Sequence, residues 1–421
     1  MKQFFLFILL ISALCSCNQN DEPSTKQAQR TVIIYMAAEN NLTNYAYEDL
    51  EEMKVGSRQL SDRQNLIVYV DRANATTAPY LARVKDGELC DTLYMPESIA
   101  ADPTVLKNVV SKARQLYPAL SYGLVLWGHG TGWIISDNEV NTAAASRAYG
   151  GSTGNNSASG SGRYWMNITK LSAALSEAMG TDKFAFVMGD CCSFACMETA
   201  YELRKVADVV IGSPAEVPDA GAPFDKIVPP MFENGEALYH HIIDNYYEWY
   251  LDAMKKQPNT YYNSTPGDLE GYSVPLAVIL TAQLDQLATA TSNLLNTISD
   301  KVSKGGALDL SNVVFYAIYN SYRYSYDMSH VLKKHAAASD YESWLSAYKQ
   351  AVPYHRHSVK WMSNSSQLIN YMNHFSDEGD GCGDVSMFFP SSYYDTTSPN
   401  WNKAIQQYQW NNVIRWKQYG W

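Results

Sequence analysis

The sequence predicts an α/β fold in which a mostly parallel sheet is covered by helices on both faces. Short apolar runs alternate along the chain with segments that repeat apolar residues at the helical period. The runs are uninterrupted, which is typical of strands buried on both faces of a parallel sheet. Strands that alternate with helices at this spacing favour one sheet joined by right-handed crossovers.

The individual elements follow from these patterns. The runs predict strands at 31–37, 65–70, 122–127, 184–188, 208–212, 275–281 and 384–390. The periodic segments predict helices at 45–53, 103–117, 168–179, 223–254 and 283–302, and one that starts after an N-cap at Ser193.

The first thirty residues have the pattern of an exported protein. Residues 1–16 place Lys2 before an apolar core that is too short for a permanent membrane helix. The core ends in Leu14-Cys15-Ser16-Cys17, which resembles the lipobox of bacterial lipoproteins. This resemblance implies lipidation at Cys17. The next residue is Asn18 and not the Asp that retains lipoproteins in the inner membrane of some bacteria, so we expect an outer-membrane lipoprotein on the cell surface or periplasmic face. A plain secretory signal is the alternative, and 17–30 form a polar tether in either case.

The length, charge and cysteine content of the chain limit the classes of protein to which it can belong. The chain has 421 residues, and we expect a catalytic region at 31–305 followed by a C-terminal region, 306–421, that completes or packs on the sheet. A formal charge of -11 disfavours nucleic acid as a partner. Beyond Cys15 and Cys17, five scattered cysteines remain. An odd set of this kind is not a disulfide framework, so we expect a free thiol.

Two adjacent cysteines lie where a predicted strand ends. Cys191 and Cys192 follow the run 184–188, and the predicted helix begins directly after them. In a parallel sheet, ligands bind outside the carboxyl ends of the strands. A helix N-terminus at this point would lower the pKa of a thiol by stabilising the thiolate.

A histidine follows another predicted strand. His129 stands between Gly128 and Gly130, directly after the run 122–127. Most isolated histidines are structural, but this one is predicted to face the same sheet edge as the cysteines. A thiol and an imidazole at one edge are the groups that a Cys-His nucleophilic pair requires.

These motifs resemble those of the clostripain-like cysteine peptidases, which are relatives of the caspases and gingipains. The resemblance depends on His129-Gly130 after one strand and on Asp190-Cys191-Cys192 after another. Supporting segments are YMAAENNL at 35–42, IGSPAEVP at 211–218 and DVSMFFP at 384–390. The resemblance implies a caspase-like α/β/α sandwich with a C-terminal extension.

The resemblance also implies roles for individual residues. His129 would be the catalytic histidine and Cys192 the nucleophile, with backbone N–H groups at Gly130 and Cys192 holding the oxyanion. Cys191 stands where relatives more often carry alanine, so which of the two thiols reacts is left open. Calcium dependence occurs among relatives and is implied here, although no segment matches an EF-hand loop. No organic cofactor is expected.

Two acidic residues predict a preference for basic substrates. Asp190 is next to the nucleophile turn, and a carboxylate in a partly desolvated pocket prefers a bidentate guanidinium partner. We therefore expect cleavage after Arg and less readily after Lys, with Asp219 as a second pocket candidate. The alternative for Asp190 is a helix-capping or turn carboxylate.

The segment between His129 and Cys192 predicts activation by self-cleavage. It is long and has no apolar period, and it includes the glycine- and serine-rich stretch 150–162, which we expect to be exposed and protease-sensitive. Family members are often cut between the histidine and the cysteine. Arg147 is the first candidate cut site and Arg163 the second, leaving two fragments held without a covalent link.

Other functions stay open from sequence alone. The chain could be a lipid-anchored binding protein with an inactive peptidase fold, or a thiol-dependent amidase or transpeptidase. Zinc binding by Cys191, Cys192 and Cys196 is disfavoured because these residues lack paired ligand spacing. The other histidines, at 240, 241, 330, 335, 355, 357 and 374, belong to no recognised motif. We expect a monomer that acts on protein or peptide substrates.

Overall fold

The computed structural model describes residues 27–73, 77–135, 148–154, 157–159, 162–256, 271–319, 322–364, 367–369 and 382–421. The predicted signal peptide, the predicted lipidation site Cys17 and the first predicted cut site Arg147 lie outside these residues. None of the helices within these ranges combines the length and apolarity needed to cross a bilayer.

The strands are numbered here in chain order. They are β1 Ala28–Ala38, β2 Gln64–Arg72, β3 Tyr80–Lys85, β4 Glu88–Tyr94, β5 Ala119–Trp127, β6 His129–Gly130, β7 Tyr149–Ser152, β8 Tyr164–Met166, β9 Phe186–Asp190, β10 Val209–Gly212, β11 Leu276–Leu280, β12 Ile318–Tyr319, β13 Tyr322–Arg323, β14 Tyr326–Asp327, β15 Tyr354–Arg356, β16 Trp361–Asn364, β17 Gln367–Ile369 and β18 Ser386–Met387.

The α-helices are numbered in the same way. They are α1 Tyr45–Ser57, α2 Pro103–Leu116, α3 Ile168–Met179, α4 Met197–Leu203, α5 Phe224–Ile227, α6 Glu236–Lys256, α7 Leu284–Thr297, α8 Ser299–Val302, α9 Met328–His335, α10 Ala338–Ala351, α11 Trp401–Ala404 and α12 Gln409–Ile414. Short 3-10 turns lie at Pro230–Phe232, Thr281–Gln283, Ser392–Thr396, Ile405–Gln407 and Trp416–Tyr419.

One sheet organises the part of the chain that the structure describes. Nine strands form it in the order β15-β11-β10-β9-β5-β1-β2-β3-β4. Neighbours from β10 to β2 pair in parallel, and these include five of the predicted strands. The pairs at both edges are antiparallel. The parallel centre confirms the predicted α/β class, whereas the antiparallel edges make the whole sheet mixed.

The side chains of β1 show that the sheet has a core on each face. Tyr35 belongs to the core that contains apolar residues of α2 and α3. Its neighbours Ile34 and Met36 belong to the opposite core, with residues of α1 and α6. Successive residues of a strand point to opposite faces, so an uninterrupted apolar run must be covered on both. This arrangement is the predicted α/β/α sandwich.

The C-terminal region contacts this sheet in two ways. Its strand β15 pairs with β11 at the sheet edge. Five of its buried tryptophans join the core on the face that carries α2 and α3: Trp344, Trp361, Trp401, Trp410 and Trp416. Residues 306–421 therefore contribute both to the sheet and to its cover.

Two predicted boundaries are wrong. Strand β1 begins at Ala28, so 28–30 belong to the sheet and not to the tether; the Arg30 guanidinium is held by Ser121 Oγ at 3.0 Å and the Met231 carbonyl at 2.9 Å. Only Ser386–Met387 of the predicted late strand 384–390 form a strand; they pair with β14 outside the main sheet, and Ser386 also bridges Cys196. Its apolar pattern instead reflects the buried side chains of Phe388 and Phe389.

Candidate active site

The motifs that contain His129 and Cys192 lie side by side at the carboxyl edge of the parallel strands. Strands β5 and β9 are neighbours, and Trp127 at the end of one is paired with Asp190 at the end of the other. The chain then continues into His129 on one side and Cys192 on the other. Both residues line a cavity of about 260 Å³. This is the sheet edge at which parallel α/β proteins bind ligands.

Gly130 allows the two motifs to approach each other. A Cβ atom at this position would lie 2.7 Å from the Cys192 carbonyl oxygen and 3.1 Å from Sγ of Cys191. Contacts as short as the first do not occur for real side chains, so residue 130 has to be glycine for this packing. The backbone room predicted around His129 is thus used to bring the histidine segment against the cysteine turn.

His129 is positioned by two neighbours that the sequence analysis did not assign. Its Nε2 lies 2.8 Å from Oδ1 of Asn41, and its ring lies 6.1 Å from the ring of Trp165. Strand β6 places the histidine, because it pairs with β7 in a small three-stranded sheet that β8 completes. Asn41 belongs to the YMAAENNL segment, so the signal for it was present in the sequence.

Cys192 and Cys191 differ in their access to the cavity. Cys192 is half-buried, and its Sγ lies 3.4 Å from the backbone nitrogen of Val217. Cys191 is only 2 % exposed and belongs to the apolar core on the α2 and α3 face. The loop after β10 holds the cysteine turn in place, since the Ser193 N–H donates to the Ala215 carbonyl at 2.8 Å. Cys192 is therefore the thiol with access to a substrate in the cavity.

The prediction that a helix begins directly after the cysteines is wrong. Ser193 has a left-handed backbone, with φ of 57°, and α4 begins only at Met197 with Cys196 as its N-cap. No helix dipole therefore starts beside Cys192. Burial raises the pKa of the Cys192 thiol, and the negative charge of Glu216 raises it further. The expected lowering of the thiol pKa does not occur in the substrate-free site.

Asp190 lies at the end of β9, on the floor of the cavity. It is 4 % exposed and lines the cavity, and its oxygens accept hydrogen bonds from the Ala222 N–H at 3.0 Å and from the Tyr246 hydroxyl at 2.9 Å. Burial raises its pKa to about 6, although these two hydrogen bonds counteract the effect. At neutral pH and above, Asp190 is mostly a carboxylate.

A second carboxyl group lies beside Asp190. Trp127 Nε1 donates to Oδ2 of Asp49 at 2.5 Å, and Gly221 is packed between Asp49 and Asp190. Burial and the charge of Asp190 raise the pKa of Asp49 to about 9. Asp49 is therefore protonated at neutral pH, so the two groups together carry about one negative charge there.

The other acidic residues of the cavity lie on the loop after β10. Glu216 and Asp219 are partly exposed there, and with Asp190 they give the lining three acidic side chains. The described lining includes no Lys or Arg. Asp219 was predicted at this edge, whereas Glu216 was missed although it belongs to the IGSPAEVP segment. The cavity is electrostatically suited to a cationic group.

The C-terminal region forms one wall of the same cavity. Ile318, Tyr319, Tyr324 and Met362 are all part of its lining. The Tyr324 hydroxyl lies 2.9 Å from Oγ of Ser193, and the Glu216 N–H donates to the Met362 carbonyl at 3.3 Å. No sequence motif pointed to these residues, because they come from parts of the chain far from the strand ends.

The segment between His129 and Cys192 is less exposed than predicted. Residues 149–152 are buried in β7, and the Ala148 carbonyl accepts from the Thr131 N–H at 2.9 Å beside the site. Arg163 is exposed, and its N–H donates to the Ser152 carbonyl at 2.7 Å. The second predicted cut site is therefore accessible, while the residue that follows Arg147 packs against the histidine loop.

Comparison with known proteins identifies the family. A sequence model of the Clostripain family matches residues 34–419. Clostripain from Hathewaya histolytica is 28% identical over an alignment of 231 positions, and the match covers 48% of this chain and 42% of that protein. The match thus spans less than half the length of this curated relative.

Solved structures agree with the family match. A secreted cysteine protease from Bacteroides thetaiotaomicron, determined in complex with an irreversible peptide inhibitor, superposes with a TM-score of 0.73 at 28% identity. The superposition covers 93% of this chain and all of that one. An inactive protease zymogen from Parabacteroides distasonis has the same fold, with a TM-score of 0.70 at 24% identity over 92% of this chain and 98% of its own.

Proposed function

Because this chain belongs to the clostripain family and is a cysteine peptidase, we propose that it cuts peptide bonds after arginine and less readily after lysine. The observation that carries this proposal is the composition of the cavity: a half-buried thiol and an imidazole lie beside three acidic side chains, without a basic residue in the described lining. A substrate side chain that is positively charged fits this site better than an acidic or apolar one.

The proposed chemistry is acyl transfer to Cys192. His129 takes the proton of the Cys192 thiol, and the thiolate attacks the scissile carbonyl carbon; the carbonyl electron pair moves to oxygen, where N–H groups of Gly130 and Cys192 would stabilise it. His129 then protonates the leaving amine as the carbon–nitrogen bond breaks. His129 next takes a proton from water, which attacks the thioester carbon; the carbon–sulfur bond breaks to release the acid, and His129 returns its proton to the Cys192 thiolate. Cys192 is assigned this role and not Cys191, because only its thiol is partly exposed in the cavity.

The proposed specificity comes from charges at two depths. Asp190 is held by two hydrogen bonds on the cavity floor, where it can accept from a guanidinium. Glu216 and Asp219 lie nearer the solvent and attract the cation as it enters. Their charge also favours the thiol over the thiolate. A bound arginine would offset that charge, so the correct substrate side chain would favour formation of the nucleophile.

We propose self-cleavage between His129 and Cys192 as the activating step. A cut after Arg147 would turn Ala148 into a charged N-terminus at a buried position that contacts Thr131. A buried ammonium group is costly, so this end would move and rearrange the histidine loop. Arg163 remains the second candidate because it is exposed beside β8. Residues of both fragments share the central sheet, which would keep them associated.

Export and calcium dependence remain proposals. The comparison protein from Bacteroides thetaiotaomicron is described as secreted, and this is consistent with the signal pattern at 1–16 and with lipidation of Cys17. Calcium dependence is implied by the family resemblance alone.

The test is hydrolysis of matched fluorogenic peptides that differ only in the residue before the cut bond: Arg, Lys, Asp or Leu. The wild type should prefer Arg, and Cys192→Ala should lose turnover while Cys191→Ala keeps it. The assay is repeated with calcium and with EGTA. Equal turnover of simple amides would favour an amidase, and product formation with an added amine would favour a transpeptidase. An inactive wild type, even after cleavage at Arg147, would favour the binding-protein alternative.

A further inference from the structure

Two histidines and an aspartate converge at the sheet edge formed by the C-terminal region. His355 lies in β15, His357 follows it, and Asp384 comes from the segment that leads into β18. Nδ1 of His355 lies 3.0 Å from Oδ2 of Asp384, and Nδ1 of His357 lies 3.3 Å from the same oxygen. Among the described residues, this is the group of three potential ligands whose atoms all lie within 4.8 Å of one another.

The distances from Asp384 Oδ2 to the two histidine nitrogens, 3.0 and 3.3 Å, match the separation of ligand atoms around a small metal ion, and the third separation lies within 4.8 Å. A tetrahedral zinc ion has bonds of about 2.0–2.1 Å to imidazole nitrogen and carboxylate oxygen, which puts neighbouring ligand atoms about 3.3 Å apart. His355 and His357 share one face because side chains alternate along a strand and these residues are two positions apart. Their rings are nearly parallel, with an angle of 22° between them.

A second buried carboxylate holds Asp384 in place. Oδ2 of Asp327 accepts from the Gly383 N–H at 2.9 Å, from the Asp384 N–H at 3.2 Å and from the Tyr316 hydroxyl at 2.6 Å. Asp384 itself has a left-handed backbone, with φ of 56°, and both aspartates are fully buried. Supporting hydrogen bonds that fix a ligand are a usual part of metal sites, and two adjacent buried carboxylates favour a cation.

We propose that His355, His357 and Asp384 bind one divalent transition metal ion of the zinc class, with water completing its coordination. Two imidazoles and one carboxylate suit zinc, whereas calcium prefers six to eight oxygen ligands. The side chains of His355 and His357 are 30% and 26% exposed, so an ion can enter from solvent while Asp384 stays buried. This site is separate from the catalytic cavity and does not depend on the peptidase proposal.

The ion would link the sheet edge to the chain that supports the nucleophile turn. Asp384 is two residues before Ser386, whose N–H donates to the Ala195 carbonyl at 3.0 Å. Ala195 in turn donates its N–H to the Ser213 carbonyl of the loop that lines the cavity. A bound ion should therefore raise the free energy of unfolding. Its effect on the rate of peptide hydrolysis should be smaller than its effect on stability.

The experiment uses the mature chain without an affinity tag, carrying Cys192→Ala so that the catalytic thiol cannot bind the probe. Protein stripped by a chelator is given zinc ions and desalted, and bound zinc is counted by mass spectrometry. We expect one zinc per chain, a melting temperature several degrees higher with zinc than without, and no comparable effect of calcium or magnesium. No retained zinc, or equal binding of calcium, would overturn the proposal.

Variants then locate the ion. His357→Ala should lose zinc binding and the zinc-dependent rise in melting temperature, with its fold checked by circular dichroism. His241→Ala is the matched control, because His241 also pairs with one carboxylate, Glu233 at 2.6 Å, but has no second imidazole there. Cys382→Ser should keep the zinc, since Sγ lies 3.9 Å from the other oxygen of Asp384. Zinc retained by His357→Ala, or lost in Cys382→Ser, would overturn the assignment of these ligands.

Discussion

Nε2 of His129 and Oδ1 of Asn41 lie 2.8 Å apart in the cavity that both residues line. An amide oxygen can only accept a hydrogen bond, so this contact favours the tautomer with the proton on Nε2 and the lone pair on Nδ1. Asn41 is thus a positioning residue. Asn41→Ala should lower kcat by about 10-fold to 100-fold with little change in KM, as expected when a supporting partner of a general base is lost. Steady-state kinetics with the preferred peptide measure this.

The matched control for this substitution is Asn44→Ala. Asn44 is exposed three residues further on, and as the N-cap of α1 it makes no side-chain capping bond. Its loss should leave kcat unchanged. Asn41→Asp keeps the hydrogen-bond acceptor and adds a negative charge. Its kcat should therefore be higher than that of Asn41→Ala, and the acid limb of its pH profile of kcat should be shifted from that of the wild type. Equal kcat values for wild type and Asn41→Ala would remove Asn41 from this role.

Substitution and chemical labelling should distinguish the two adjacent cysteines. Cys192 is half-buried in the cavity, whereas Cys191 packs against Gly130 in the core. Cys192→Ala should reduce kcat by at least about 1,000-fold, because the proposed nucleophile is lost. Cys191→Ala should change activity only slightly and lower the melting temperature through the loss of a packed side chain. Iodoacetamide followed by peptide mapping should modify Cys192 first; preferential labelling of Cys191 would reverse the assignment.

Glu216 should control the ionisation of Cys192. Burial is the main cause of the raised thiol pKa, and the charge of Glu216 is the next largest. A raised pKa means that the thiolate forms only at higher pH, so Glu216→Gln should move the alkylation of Cys192 to lower pH. The same variant should weaken the preference for Arg over Leu. The rate of iodoacetamide reaction as a function of pH measures the shift, with the exposed Glu342→Gln as control. An unchanged profile would show that Glu216 does not act on the thiol.

The sheet centre and the placement of the His129 and Cys192 motifs at one sheet edge could be predicted because their signals are local. Helix α3 has the predicted bounds, and the apolar runs that became β1 and β5 need cover on both faces whatever surrounds them. The β3–β4 hairpin was missed although Asp86-Gly87 is a common hairpin turn, and both residues have positive φ. In the two short strands that flank this turn, apolar and polar residues alternate only weakly, so the sequence shows no clear strand period there.

Other features depended on contacts between distant segments. Ser193 was assigned as an N-cap from its residue type, but pairing of the turn with the 213–215 loop forces a left-handed backbone there. The cavity wall from Tyr324 and Met362 arises only when the C-terminal region packs on the sheet. His355 and His357 were two residues without a motif until the fold brought Asp384 to them. Patterns along the chain report on local structure, and these pairings are not local.

Glu198 should make the fold less stable as the pH rises. It lies in the first turn of α4 with no exposed surface, and its Oε1 accepts from the Phe388 N–H at 2.9 Å. Burial raises its pKa from the ordinary value of 4.5 to about 7, so the folded state binds the proton more tightly than the unfolded state. The stabilisation is fully present below about pH 4.5, falls as the pH rises to about 7, and changes little beyond that.

Glu198→Gln tests this, because glutamine keeps the acceptor for Phe388 and cannot ionise. The free energies of unfolding of both proteins are measured by urea denaturation at pH 5 and pH 8. Asp49 and Glu52 also have raised pKa values, so both proteins should lose stability at the higher pH. The loss should be smaller for the variant by roughly 2 kcal/mol, at about 1.4 kcal/mol for each pKa unit. An identical loss in the two proteins would show that the Glu198 carboxyl ionises as easily in the folded chain as in the unfolded one.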